Sequence, residues 1–234
     1  MSVHAAVGTR VRTPAQGTAA VGRLAGAGGL VFAATLAVQN LLRAAAPGFG
    51  AAPAQVTAYF LHHRAAALVP LGLFPVGMLA LFGFAAAIRG RPGREEDRWW
   101  AGVGSLGVAA IAALFAAVNM TEIVLAAKAG QLASSPAVIQ ALWTLHAAAF
   151  GLDLGAIAVA LIGLSRAAVP ARLIPAWLAA AAWPGAGCLL TAAVFTVALA
   201  DGGAWVALAL PGFVIWLVFV VTASVSLLRR PQPS

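Results

Sequence analysis

Six long apolar runs divide this sequence, and each is long enough to cross a lipid bilayer as a helix. A transmembrane helix needs about 20 predominantly apolar residues to span a hydrocarbon core of about 30 Å. The runs cover approximately residues 24–42, 66–88, 99–127, 137–164, 174–200 and 204–228. We therefore predict an all-α fold, a polytopic bundle of six transmembrane helices within residues 24–228.

The composition agrees with a membrane location. Hydrophobic residues make up 62% of the 234-residue chain and charged residues only 9%, whereas a soluble domain carries about 25% charged residues. The net charge is +8, but the basic residues fall at the ends of the apolar runs and form no stripe beside aromatic residues. The charge favours contact with membrane lipids and argues against a nucleic-acid partner.

Neither end of the chain contains an apolar run. Residues 1–23 are rich in polar residues, and residues 229–234 hold two arginines and two prolines. We expect both segments to be cytoplasmic tails, the first of them disordered. A cleaved signal peptide is an alternative for the first run, because the small residues Ala44 and Ala46 follow it, although Gln39, Asn40 and Arg43 interrupt its apolar stretch.

The lysines and arginines are unequally divided between the two sides of the six predicted spans. Eleven lie on one side and three on the other. Cytoplasmic segments carry the excess of basic residues in membrane proteins, so both termini are predicted to be cytoplasmic. The eleven are Arg10, Arg12, Arg23, Arg89, Arg91, Arg94, Arg98, Arg166, Arg172, Arg229 and Arg230, and the three are Arg43, Arg64 and Lys128.

The amino-acid usage also indicates a source. Arginine outnumbers lysine by 13 to one, and alanine, glycine and proline are abundant. This usage is typical of GC-rich coding sequences and indicates a bacterium of the high-GC type. We therefore expect a multi-pass protein of a bacterial plasma membrane.

Three ionisable residues are predicted to lie inside the membrane, namely Glu122, His146 and Asp153. A charged side chain at a helix centre costs about 2.5 to 3.5 kcal/mol on insertion scales, so such residues usually face a cavity or a partner. His146 precedes Asp153 by seven residues, which places both on nearly one face of a helix, two turns apart. Gly151 and Gly155 lie on another face, where small residues allow close packing against a neighbour.

Neighbouring spans supply further polar residues at the same depth. The third and fourth spans run antiparallel, so a short connection places Glu122 level with His146, and Asn119 lies one turn from Glu122 on the same face. We predict an outward-opening polar pocket with Asp153 at its floor. Acid–base roles are predicted for Glu122, His146 and Asp153, and substrate contacts for Asn40, Arg43, Arg64 and Asn119.

Each of the three ionisable residues also has a structural interpretation. Glu122 can form a stabilising ion pair with Arg43 or Lys128, and His146 can be a hydrogen-bonded core residue. Asp153 has no basic residue at its depth, so its carboxyl must be protonated, hydrogen-bonded or hydrated.

No motif for a metal or another cofactor is present, and we expect neither. The adjacent His62 and His63 would point about 100° apart on a helix, which makes a poor metal site, and there is no Cys/His cluster. No glycine-rich phosphate-binding motif occurs. No serine is well placed near His146 for a Ser-His-Asp arrangement.

Two stretches carry a resemblance to known proteins. Residues 142–164 read LWTLHAAAFGLDLGAIAVALIGL, and residues 172–187 read RLIPAWLAAAAWPGAG. They resemble a family of bacterial, actinobacterial-type six-helix membrane proteins of unknown function, in which a Leu-His element opens the fourth helix, an Ile/Val-Pro-x-x-Leu element opens the fifth, and an arginine such as Arg64 often begins the second. The chain departs from that pattern at Trp177 and Ala179, where a glycine is usual. The resemblance implies the architecture and no reaction.

Two classes of function follow from these features. The first is a membrane-embedded enzyme that acts on a small lipophilic substrate by acid–base chemistry in the polar pocket. The second is a non-enzymatic role, either transport of a small solute or proton, or a structural part in a membrane complex. A cavity open to the lipid would favour the enzyme, a path to both faces would favour transport, and a dry glycine-packed core would favour the structural role.

Overall fold

The protein is a bundle of helices. A computed structural model describes residues 14–91 and 93–229, and no strand occurs in this part of the chain. Six of its helices are long and apolar enough to cross a membrane, so the predicted six-helix architecture is confirmed. The helices are α1 (Pro14–Leu42), α2 (Pro53–His62), α3 (Arg64–Arg89), α4 (Glu95–Leu132), α5 (Pro136–Ala168), α6 (Ala176–Val194), α7 (Thr196–Ala200) and α8 (Val206–Arg229).

The two ends of the bundle differ in their connections. Because the long helices alternate in direction, the α1–α2 segment, α2, the α4–α5 turn and the α7–α8 connection lie at one end, which we call the α2 end. The α3–α4 and α5–α6 connections lie at the opposite end. The half of the bundle next to α2 is called the α2 half, and the remainder the opposite half.

Some helices extend beyond the predicted runs. α1 begins at Pro14, so residues 14–23, which the predicted disordered tail of residues 1–23 included, are helical. Proline is favoured in the first turn of a helix, and alanine-rich sequence continues it. Residues 1–13 and 230–234 lie outside the described residues. α4 has 38 residues, about 57 Å at 1.5 Å per residue, so its ends pass beyond a hydrocarbon core of about 30 Å.

α2 is a short helix that the analysis of apolar runs missed. Its ten residues are too few to cross a membrane, and Pro53 stands in its first turn. Val56 and Phe60 are buried, and they pack in a cluster with Leu125 of α4 and Trp143 of α5. α2 therefore lies against the α2 end of the bundle.

The predicted fifth span is interrupted near the α2 end. α6 ends at Val194, and α7 begins at Thr196 after a break at Phe195. Gly151 of α5 faces this break, because a Cβ atom at Gly151 would lie 2.5 Å from Thr196 Oγ1. A Cβ atom at Gly155 would lie 3.4 Å from the Cβ atom of Ala193. The prediction that these two glycines pack against another helix is confirmed.

The opposite half is held together by close backbone contacts. A Cβ atom at Gly104 of α4 would lie 2.6 Å from the Leu164 nitrogen of α5, and one at Gly107 would lie 2.5 Å from the Ala160 nitrogen. A Cβ atom at Gly26 of α1 would lie 2.7 Å from the Ser224 carbonyl oxygen of α8. Small residues at helix contacts let backbones approach in this way, so the opposite half leaves little space between these helices.

Candidate functional site

A cavity of about 510 Å³ lies in the α2 half, among α1, α3, α4, α5 and α8. This volume falls within the range of about 300–1,000 Å³ that is common for small-molecule sites. Its lining is mainly apolar and rich in aromatic rings. Those rings include Phe32, Phe74, Phe115, Phe150, Phe213 and Trp216.

An ion pair between α1 and α4 forms the first polar group of the cavity. Arg43 Nε donates to Glu122 Oε1 at 3.0 Å, and Arg43 Nη2 donates to Glu122 Oε2 at 2.7 Å. Nη2 also donates to Asn119 Oδ1 at 3.3 Å. Glu122 is only 5% exposed. Of the two partners that the sequence suggested for Glu122, Arg43 is the one that forms the pair, in the bidentate geometry typical of strong Arg–carboxylate pairs.

His146 lies beside this ion pair. Its Nδ1 atom is 3.9 Å from Glu122 Oε1 and 3.4 Å from Thr121 Oγ1. The Thr121 hydroxyl donates its only proton to the Val118 carbonyl at 2.7 Å, so it can only accept from His146. This arrangement favours the tautomer with the proton on Nδ1, which leaves Nε2 as an acceptor. The imidazole also stacks on the Trp143 ring, with centroids 4.5 Å apart.

Asp153 is the second polar group of the cavity, and it stands apart from the Arg43–Glu122 pair. It lines the cavity and is 3% exposed, and its Oδ1 atom has no hydrogen-bond partner among the described residues. It lies about 10 Å from His146 along α5, at 1.5 Å per residue. Both side chains line the same cavity, as their seven-residue spacing predicted. An unpaired buried carboxylate is costly, so the Asp153 carboxyl must be protonated, hydrated or bonded to a bound molecule.

The segment between α1 and α2 lies across the α2 end of the cavity. Trp143 Nε1 donates to the Gly48 carbonyl at 3.0 Å. The Phe49 ring lies 5.8 Å from the His146 ring and 5.3 Å from the Phe150 ring, between ring centroids. Ala46, Pro47 and Phe49 of this segment line the cavity, so the segment forms its wall at the α2 end.

The cavity also reaches the surface of the bundle between α1 and α8. α1 and α8 are in contact at Phe32 and Trp216, whose ring centroids are 6.3 Å apart. Nearer the α2 end, Asn40 of α1 and Leu210 of α8 both line the cavity and remain exposed, Leu210 to 62%. The cavity therefore reaches the molecular surface beside these two residues, at a place that we call the α1–α8 opening.

Five of the seven predicted site residues line the cavity. These five are Asn40, Arg43, Glu122, His146 and Asp153. Asn119 lies behind the ion pair and donates through Nδ2 to the Phe115 carbonyl at 2.7 Å, so it orients Arg43. Arg64 is not part of the cavity lining. It begins α3 directly after α2, and its side chain is exposed, because the insertion of α2 moves the start of α3 away from the α1–α2 segment.

Sequence reasoning missed several aromatic residues of the site. Phe49 lies in a connection without periodicity, and no pattern pointed to it. Trp143 precedes His146 by three residues, a spacing that places the two on one helix face and that offered a signal. Tyr59 of α2 does not line the cavity but is buried next to it in the α2 cluster with Trp143, and its hydroxyl has no hydrogen-bond partner among the described residues. Burial raises the pKa of Tyr59, the Glu122 charge raises it further, and the Arg43 charge opposes the rise.

The described residues contain no group of three or more His, Cys, Asp or Glu side chains that could hold a metal ion. His62 Nδ1 lies 2.7 Å from the Ala58 carbonyl, and the His63 ring stacks on Tyr59. Both adjacent histidines therefore contact residues of α2 itself.

Comparison with known proteins gave no family model, no curated protein and no solved structure that matches this chain. The resemblance to bacterial six-helix proteins therefore stays a prediction, and the chemistry of the site rests on its own geometry. That geometry supports binding of a mostly apolar molecule, with a neutralised ion pair at one end of the cavity and a single unpaired carboxyl farther in.

Proposed function

We propose that this multi-pass membrane protein takes a small lipophilic molecule into the cavity and acts on it by acid–base chemistry through Asp153. The observation that carries the proposal is the unpaired, buried Oδ1 atom of Asp153 in the cavity wall. A carboxyl in apolar surroundings that lacks a protein partner can exchange a proton with a bound molecule. An apolar lining with few polar groups is typical of small-molecule sites.

The other polar residues have supporting roles in this proposal. Glu122 is held by two hydrogen bonds from Arg43, so the pair anchors the end of the cavity and does not supply a free base. His146 offers its Nε2 atom as an acceptor at the same end. A substrate that contacts both His146 and Asp153 would have to be about 10 Å long, because the two residues are separated by two helical turns.

The α1–α8 opening supports entry of the substrate from the lipid. Exposed lining residues on both helices, Asn40 and Leu210, border this opening. A transporter needs access from both faces of the membrane, whereas close glycine contacts join the helices in the opposite half. A cavity in one half with a lateral opening favours the enzyme over the transporter.

The proposed location is a bacterial plasma membrane with both termini in the cytoplasm. The asymmetry of the basic residues supports this orientation, and it would place the α2 end outside. Labelling of single introduced cysteines tests it. Cysteines introduced near Gly93 and Val169 should react only from the cytoplasmic side, and those near Gly50 and Gln131 only from outside. The reverse pattern would contradict the orientation.

Analysis of the molecules that purify with the protein tests the proposed function. Ala209 lines the cavity and is 3% exposed, whereas the adjacent Leu208 is 39% exposed and does not line it. Ala209→Phe should fill part of the cavity, and Leu208→Phe serves as the matched control. Organic extracts of the purified variants are compared by mass spectrometry.

A small lipophilic molecule should be recovered from the wild type and from Leu208→Phe, and should be depleted in Ala209→Phe. Identical extracts from wild type and a folded Ala209→Phe variant would contradict the proposal.

A further inference from the structure

We infer that the cavity selects a lipophilic cation, an organic molecule with one positively charged group that is seated against Asp153. This inference rests on the proposed function and names the class of molecule that the same site binds. Three features of the cavity lead to it: the balance of charges in its wall, the aromatic rings near Asp153, and the lateral opening.

In the described part of the chain, the cavity wall holds no cation that could balance an ionised Asp153. The ionisable residues that line it are Arg43, Glu122, His146 and Asp153. Arg43 and Glu122 neutralise one another at 2.7 Å, and Asn119 occupies a further donor of the same guanidinium. With a neutral His146, the ionised carboxyl of Asp153 is left without a counter-charge. A charge in a low-dielectric site needs a partner, and a cationic ligand provides one.

The surroundings of Asp153 favour an organic cation over a hydrated metal ion. Phe150 lies one turn away on α5, and α8 contributes Phe213 and Trp216 to the same cavity. The faces of aromatic rings attract cations, and an apolar lining accepts the hydrocarbon part of the molecule. A metal ion would need several oxygen, nitrogen or sulfur ligands, whereas the described residues hold no such cluster.

The α1–α8 opening fits the same class of molecule. A lipophilic cation dissolves in the membrane with its charge near the headgroups. The exposed Asn40 provides a polar position at the edge of the opening. Such a molecule can enter beside Asn40 and Leu210 without crossing the α1–α2 segment.

Two labelled probes that both carry phenyl groups but differ in charge test the inference. Tetraphenylphosphonium carries a positive charge, and triphenylphosphine oxide is neutral and accepts hydrogen bonds. Displaceable binding of each probe to the purified full-length protein is measured by scintillation proximity. The proteins compared are wild type, Asp153→Asn, and Asp201→Asn, a control in which an exposed acidic residue outside the cavity loses its charge.

The wild type should bind tetraphenylphosphonium at least about tenfold more tightly than the oxide, because removal of one partner of a buried charge pair is costly. Asp153→Asn should lose at least about tenfold in affinity for the cation. It should retain its affinity for the oxide, and Asp201→Asn should match the wild type.

Equal or tighter binding of the neutral oxide would overturn the inference, since it would show that Asp153 acts as a protonated donor. Unchanged cation binding in Asp153→Asn, or no displaceable binding of the cation to wild type, would overturn it as well. The proposed function is judged separately by the extraction experiment. A neutral lipophilic molecule recovered there would leave that function standing while the inference fails.

Discussion

The two halves of the bundle are built from the same long helices, yet they differ in how those helices meet. In the opposite half, glycines at positions 26, 104 and 107 bring backbones into close contact. In the α2 half, aromatic side chains and the Arg43–Glu122 pair stand between the helices and surround a cavity. Small residues therefore bring α4 against α5 and α1 against α8 in the opposite half, whereas large or charged residues surround the cavity that Asp153 lines.

Two ion pairs, one in each half of the bundle, provide the largest contrast between the halves. Arg43→Leu leaves Glu122 buried without its cation, and we expect it to lower the free energy of unfolding by about 3–5 kcal/mol. The Arg166–Glu96 pair in the opposite half has side chains that are 46% and 64% exposed, so Arg166→Leu should cost about 0–1 kcal/mol. Denaturant titration in detergent measures both values, and equal losses would contradict the contrast.

Substitution of Asp153 separates a ligand-facing carboxyl from a structural one. If Asp153 faces the cavity without a protein partner, Asp153→Leu should keep or raise the stability, by about 2.5–3.5 kcal/mol at most. Asp153→Asn should remain folded and lose any proton-dependent activity. If another group of the protein is hydrogen-bonded to Asp153, Asp153→Leu would leave that group unsatisfied and lower the stability by about 1–3 kcal/mol. Thermal unfolding in detergent distinguishes these outcomes.

Two glycines of α4 test the close packing of the opposite half. Gly107→Ala places a methyl group against the α5 backbone at Ala160, and we expect overpacking to cost about 1–3 kcal/mol. Gly102→Ala is the control on the same helix, since a Cβ atom there meets nothing within 4 Å. It should stabilise the protein by up to about 1 kcal/mol through helix propensity. If Gly107→Ala stabilises the protein as Gly102→Ala does, the close contact between α4 and α5 at Gly107 is refuted.

Much of the fold could be predicted because the length of apolar runs limits membrane helices to few arrangements. The shared face of His146 and Asp153 followed from a seven-residue spacing, which is close to two turns of any helix. The same reasoning placed Gly151 and Gly155 against a neighbour. These features depend on the helix alone, so the sequence reveals them without knowledge of the packing.

Features that depend on contacts between distant segments could not be predicted in this way. α2 is too short to give a span, and its burial depends on Trp143 and Leu125. The placement of Phe49 on His146 depends on a hydrogen bond between Trp143 and the Gly48 carbonyl. Arg64 is exposed because α2 precedes it, and no local sequence pattern predicts this. The polar residues of the site were found because charges in apolar runs are rare, whereas its aromatic lining resembles ordinary membrane sequence.

The central claim is that the Asp153 carboxyl faces a binding site and that its hydrogen-bonding partner is a small molecule from the membrane. An experimental structure of the wild type in lipid nanodiscs, prepared from the membranes in which it is expressed, tests this claim most directly. We predict density for a non-protein molecule in the cavity, in contact with the Asp153 carboxyl and continuous with the α1–α8 opening. A carboxyl bonded to another protein group, beside a cavity closed by repacked side chains, would contradict the claim.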